Sequence, residues 1–304
     1  MNITVVKRQT PILTAGIMKA DLFSADSLWA YHPVVVKYKD GYAMLYTGKR
    51  LGIGIAHHTL LATSNDLLLW DKKGEVLKKG TGDAWDSDFT AHGFIYKERH
   101  GYAMLYDGSK EGDWLEEIGL AESTDMVTWK KHPKNPVFTV DRDSWWEWRH
   151  VSRCCIFSHK GFTYLFYAGH DGTRERIGVA RGKTLTSLER FQKEPILTVG
   201  KKGAWDEKSI SDPRVISWKD RFLMFYSGID RYGIERIGVA ISKDLVTWRK
   251  YTDNPVLDIS KDGWDKVSAS RADIRSYDNK LHIFYSGKRN YIYSIGYGEI
   301  HIKD

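Results

Sequence analysis

With 304 residues, 42% of them hydrophobic and 28% charged, the chain can bury a substantial core and stay soluble. Its net charge of +7 comes from Lys and Arg interspersed with Asp and Glu, which argues against nucleic acid and leaves an anionic small molecule or phosphate as the use of that charge. No apolar run approaches the roughly 20 residues that cross a bilayer, the N-terminus lacks a leader's apolar stretch, and the adjacent Cys154 and Cys155 make a poor structural bridge, so a cytoplasmic protein without a membrane partner is expected.

In chain order the predicted elements repeat. Thr10-Pro11-Ile12-Leu13 opens the chain, and the first unit has a strand ending Tyr46-Thr47-Gly48, a strand read at Gly54-Ile55-Ala56, and the turn residues Ser64, Asp66 and Trp70. The second unit has Trp85, a strand ending Tyr106-Asp107-Gly108, then Ile118-Gly119-Leu120-Ala121, Ser123, Asp125, Trp129 and Asn135-Pro136-Val137. The third follows with Trp146, Tyr167-Ala168-Gly169, Ile177-Gly178-Val179-Ala180 and Glu194-Pro195-Ile196. The fourth carries Trp205, Tyr226-Ser227-Gly228, Ile237-Gly238-Val239-Ala240, Ser242, Asp244, Trp248 and Asn254-Pro255-Val256. The fifth has Trp264, Tyr285-Ser286-Gly287 and Ile295-Gly296-Tyr297, and then the chain stops.

Aromatic and β-branched alternation ending at a glycine marks a strand entering a turn. Recurrence about every 60 residues marks a repeat fold. Four strands per unit predict an all-β, five-bladed β-propeller in one domain over 1–304. The last unit lacks an outer strand, and Thr10–Leu13, which matches Glu194–Leu197, is expected to complete that blade and close the ring.

Counting back from each strand-ending glycine to the start of the inner strand gives His32, His92, Arg153, Asp212 and Arg271 at equivalent places. A position that is polar in every blade points into a channel rather than a core. Two residues further on stand Val34, Phe94, Cys155, Arg214 and Asp273. Carboxylates that recur, such as Glu147 with its mates Asp86, Asp206 and Asp265, or Glu116 with Glu175 and Glu235, read as structural. Asp88, Asp107, Asp212 and Asp273 each occur once at their repeat position, and Asp212, Asp88 and Asp273 are the catalytic candidates. Asp212 leads because Pro213 fixes its backbone and Arg153, Arg214 and Arg271 favour its ionised form. His32, His92, Arg153, Arg214, Arg271 and Asp107 are candidate substrate ligands, with Trp29, Tyr31 and Trp148 as surfaces for sugar rings. No metal or cofactor is assigned, because two histidines from different blades are not a ligand signature.

The strands ending in Tyr-x-Gly, the Ile-Gly-x-Ala strands followed by Ser-x-Asp and Trp, and Ser211-Asp212-Pro213-Arg214 resemble the five-bladed propeller superfamily of glycoside hydrolase families 32, 43, 68 and 117 and the family 130 mannoside phosphorylases. The resemblance implies a carbohydrate substrate at one mouth of the channel and, first, hydrolysis of a glycosidic bond in an oligosaccharide. In families 32 and 43 the first blade opens with a catalytic Asp, where this chain has His32. Phosphorolysis, which needs one carboxylic acid and a phosphate held by cations such as Arg153 and Arg271, is the alternative. A propeller that binds carbohydrate without turnover is the second.

Overall fold

The computed structural model describes residues 1–52, 57–98 and 100–303. Apart from one short 3-10 turn at Gly16–Lys19, its regular elements are strands, and no helix among the described residues is long and apolar enough to cross a membrane. After β1 (Asn2–Lys7), the strands fall into successive antiparallel units. The first comprises β2 (Trp29–Tyr38), β3 (Gly41–Lys49), β4 (His57–Ser64) and β5 (Asp71–Leu77). The second comprises β6 (Phe89–Glu98), β7 (Gly101–Ser109), β8 (Glu117–Ser123) and β9 (Lys130–Lys131). Next come β10 (His150–His159), β11 (Phe162–His170), β12 (Glu175–Gly182) and β13 (Glu189–Arg190). The fourth unit is β14 (Ser209–Trp218), β15 (Arg221–Ile229), β16 (Glu235–Ser242) and β17 (Arg249–Lys250). The last is β18 (Ser268–Tyr277), β19 (Lys280–Arg289) and β20 (Ile292–Lys303), closed on its outside by β1.

The predicted propeller is therefore present, with three corrections of detail. The segment Gly54-Ile55-Ala56 lies outside the described residues, and the third strand of the first blade is β4, with Leu60 opposite Tyr46 where the other blades place glycine opposite tyrosine. The Pro-containing segments are not the outer strands: each adds a single bridge, such as Ile118 to Phe138 or Ile237 to Leu257, beside the two-residue strands. Leu13 makes the matching bridge to Ile295, while most of the closing edge is β1, pairing from Asn2 with Lys303 to Lys7 with Gly298.

Two of these corrections have a physical cause. The glycines of the Ile-Gly strands exist because a tryptophan lies on them: a Cβ on Gly119 would fall 2.5 Å from the Trp85 ring, and on Gly238 2.5 Å from Trp205. The first blade has Ala25 in the tryptophan's place, and Leu60 reaches across to within 2.5 Å of where a Cβ of Gly48 would be, filling the gap from the opposite side. The Asn-Pro segments pair through side chains, since Asn135 Oδ1 accepts from Leu120 N–H at 2.8 Å and its Nδ2 donates to Leu120 C=O at 2.9 Å, so that one amide imitates a strand.

The recurring carboxylate next to each tryptophan is also structural. Tyr46, Tyr106, Tyr226 and Tyr285 donate their hydroxyls to Asp26, Asp86, Asp206 and Asp265 at 3.0 to 3.1 Å, and a lysine bonds each of these buried carboxylates from the outer edge. In the third blade Glu147 takes this place, held by Arg190 Nε at 2.8 Å. A buried charge without such partners is strongly destabilising, which accounts for the repeat of the whole trio.

Candidate active site

Every inner strand breaks register at one place: between Tyr31 and Val34, Ala91 and Phe94, Ser152 and Cys155, Ser211 and Arg214, and Ser270 and Asp273. A bulge of this kind re-aims a side chain. The bulged residues are His32, His92, Arg153, Asp212 and Arg271, with φ of 55°, 51°, 50°, 53° and 54°. Left-handed backbone at a residue other than glycine costs about 1 kcal/mol or more and collects at functional sites. Here all five channel positions carry it.

Four of the bulges are pinned from the preceding blade. His32 N–H donates to Ser286 Oγ at 2.8 Å, His92 N–H to Thr47 Oγ1 at 2.9 Å and Arg271 N–H to Ser227 Oγ at 2.8 Å. Arg153 N–H donates to Asp107 Oδ2 at 2.9 Å, so Asp107 does the work of a hydroxyl at a repeated position. Its other bond, 2.8 Å to His92 Nδ1, begins a buried chain in which the Tyr31 hydroxyl lies 3.1 Å from His92 Nε2 and 3.0 Å from His57 Nδ1. Burial pushes Asp107 well above the usual carboxylate range and His92 well below the usual imidazole range.

Asp212 is the ring's one carboxylate. Burial alone would raise it, but His32, Arg271 and Arg153 outweigh burial and hold it well below the carboxylate range. Ser211 Oγ donates to its Oδ2 at 2.8 Å, and His32 Nε2 lies 3.3 Å from Oδ1. His32 is kept neutral by burial, which lowers it to about 4. Arg153 is ion-paired with Glu175, and Arg271 NH1 with Glu235 Oε2 at 2.6 Å. Arg271 also faces the rings of Tyr31 and Tyr293 at 5.5 and 5.3 Å.

The other sequence candidates divide by depth. Arg214 and Asp273 lie one step further along the inner strands, buried behind the ring. Asp273 accepts from Val35 N–H at 2.7 Å and Arg275 Nε at 2.8 Å, and Arg214 donates to Cys154 C=O at 3.1 Å and Pro213 C=O at 2.8 Å, which ties both into the channel wall. Asp88 is half-buried just before β6, its carboxyl raised by that burial. Trp29 stands edge-on to Tyr31 and Tyr293 at 5.6 and 5.3 Å, beside the ring. Trp148 is 37% exposed and packs over Gly172, and Trp114 is more exposed still. Among the described residues no group of three or more His, Cys, Asp or Glu is placed to hold a metal ion.

Sequence reasoning passed over a second tier. At the mouth end of each third strand, three residues before the glycine position, stand His57, Glu116, Glu175, Glu235 and Tyr293. The glutamates were set aside because they recur. By the repeat Glu116 would meet Arg153 as Glu235 meets Arg271, and what sets Glu116 apart is visible only in the structure, where Arg153 pairs with Glu175 of its own blade.

With the geometry in hand, a solved structure described as a thermostable family-43 glycoside hydrolase superposes with a TM-score of 0.74 at 19% identity, covering 90% of each chain. The chain has the fold of the propeller glycoside hydrolases. The fold that the repeat resemblance implied is thereby borne out. A family model described as beta-1,4-mannooligosaccharide phosphorylase, of glycoside hydrolase family 130, matches residues 154–293, which include Asp212-Pro213-Arg214. A 1,2-beta-oligomannan phosphorylase of Thermoanaerobacter sp. (strain X514) is 28% identical over 221 residues, 69% of this chain and 66% of that protein. An uncharacterized protein of Mycobacterium tuberculosis is 28% identical over 156 residues, and that match spans 49% of each chain. The chain thus spans about half to about two thirds of the length of these curated relatives.

Proposed function

We propose that the chain is a glycoside phosphorylase that moves a mannosyl residue from a β-mannoside to inorganic phosphate. The observation that carries the reading is the pair of arginines at the ring, Arg153 and Arg271, each with a buried Nε that has no partner, beside Asp212 and two neutral histidines. Glycoside hydrolysis ordinarily sets two carboxyl groups about the scissile bond. Phosphate arrives as a ready nucleophile and makes the water-activating one unnecessary.

A guanidinium fork suits bidentate binding of an oxyanion. Glu175 and Glu235 hold the two forks in position, and the buried Nε of each arginine has no partner. Asp212, kept ionised, stabilises the oxocarbenium-like charge that develops on the sugar. The matched family and the Thermoanaerobacter relative, whose descriptions name mannoside phosphorylases, support both the sugar and the phosphate. Their linkages differ, and what they share is the β-mannosidic bond.

Hydrolysis, ranked first from sequence alone, becomes the second reading. It is favoured by the two ion pairs, since phosphate must compete with Glu175 and Glu235 for the arginines. The test incubates β-1,2- and β-1,4-linked mannobiose and mannotriose with and without phosphate. Mannose 1-phosphate formed only with phosphate is the expected result. Free mannose released at the same rate without phosphate assigns a hydrolase, and inertness toward all four leaves a binding propeller.

A further inference from the structure

The second tier breaks its own symmetry at one residue. Glu235 is saturated: it pairs with Arg271 of the next blade and accepts from Ser268 Oγ at 2.6 Å and Ser270 Oγ at 2.5 Å. Glu175 is likewise closed by Arg153 and by Ser209 Oγ at 3.2 Å. Glu116 has lost both kinds of partner. Arg153, the arginine of the next blade that would answer to Arg271, is drawn to Glu175 instead. The serine position is His150, whose Nε2 faces Trp114 C=O at 3.0 Å. Only the backbone keeps the repeat, with Glu116 C=O accepting from Val151 N–H at 2.9 Å.

The carboxyl is thereby left with a buried Oε2 that has no hydrogen-bond partner. Leaving such a group unsatisfied costs about 1–3 kcal/mol or more, and unsatisfied groups of this kind call for an explanation. Its electrostatic neighbours are those of the channel mouth: His57, His150 and His170, the carboxyls of Asp88 and Asp107, and Tyr31. The three histidines are all kept neutral by burial, so they do not supply the cations that fix the other two glutamates. Asp212 cannot donate a proton while the arginines keep it ionised, and the leaving sugar oxygen needs a donor.

We propose that Glu116 is the catalytic residue that gives its proton to the glycosidic oxygen, opposite the phosphate held at the ring. This rests on the phosphorylase reading. As the bond from C1 to the leaving oxygen breaks, the Glu116 proton passes to that oxygen, and an oxygen of HPO4 2− forms the new bond to C1. The remaining P–OH proton of the sugar phosphate returns to the Glu116 carboxylate, so nothing is left over.

The experiment compares wild type with Glu116→Gln on β-mannobiose and on 2,4-dinitrophenyl β-mannoside, both with phosphate. Dinitrophenolate departs without a proton. Loss of a general acid costs about 10²–10⁴-fold, so kcat/KM on mannobiose is expected to fall by that factor while the aryl substrate loses less than about tenfold. In Glu116→Ala, added formate is expected to restore part of the mannobiose rate. Equal losses on both substrates, or a wild-type rate on mannobiose, overturn the assignment. Wild-type release of free mannose without phosphate overturns the phosphorylase reading instead, and the leaving-group contrast still decides Glu116.

Discussion

Asp212→Asn isolates the charge at the ring with little other disturbance. Asparagine tolerates the φ of 53° that the bulge imposes, which alanine does not, and its Oδ1 can still accept from Ser211 Oγ. What disappears is a negative charge in a site only 1% exposed. For a carboxylate about 4 Å from a developing positive charge, at an effective dielectric near 20, the attraction is about 4 kcal/mol. That corresponds to roughly 10³-fold in rate, within the range for removal of one preorganised electrostatic contact. The assay is kcat and KM for mannobiose and for phosphate, with circular dichroism and Tm as controls on folding. kcat should fall about 10³-fold by that Coulomb figure, while KM for phosphate falls, because a like charge next to Arg153 and Arg271 is gone. A folded variant within about tenfold of wild type would refute the electrostatic role. A large loss of kcat with a raised KM for phosphate would mean that Asp212 holds the ring together instead.

Two further outcomes follow from the packing and from burial. Leu60→Gly alone should destabilise by about 4 kcal/mol through the cavity it opens, and Ala25→Trp alone should clash with Leu60. The double variant rebuilds the arrangement of the other four blades, so urea unfolding should show a favourable coupling of more than about 1 kcal/mol, and additive losses would sink the complementarity argument. His32, lowered from 6.5 to about 4, binds fewer protons folded than unfolded between those values, so stability is full above pH 6.5 and declines as pH falls toward 4. Its share is about 3 kcal/mol, and His32→Asn should flatten the pH 4.5–7 slope of the unfolding free energy. An unchanged slope would assign the loss to other groups.

The architecture was legible because each blade must solve the same packing problem. A tryptophan needs a glycine beneath it, a tyrosine needs its buried carboxylate, and both leave fixed spacings in the chain. The first blade hid its third strand because it solved the problem in reverse, with Ala25 and Leu60. The spacing that survived was from Ser64 back to Leu60, the same four residues as from Ser123 to Gly119, and Ala25 at the tryptophan position was the companion signal. The Asn-Pro segments misled for a different reason: a side-chain amide that pairs like backbone leaves the sequence of a strand edge without the strand.

The site was half legible for the same reason. Repeat alignment finds the ring because the bulge occurs in all five inner strands, and type alone then separates Asp212 from the histidines and arginines. Asp107 looked singular by type, yet its place is that of Thr47, Ser227 and Ser286, and its uniqueness is that it also reaches His92. Glu116 posed the opposite difficulty. Recurrence of a residue type says that a position exists in every blade, whereas its role depends on what faces it across the blade boundary. Glu175 and Glu235 face arginines and serines; Glu116 faces His150, which has turned away. A repeat protein builds function by removing one partner from an interaction kept elsewhere, so the informative comparison is between the neighbours of equivalent residues rather than between the residues themselves.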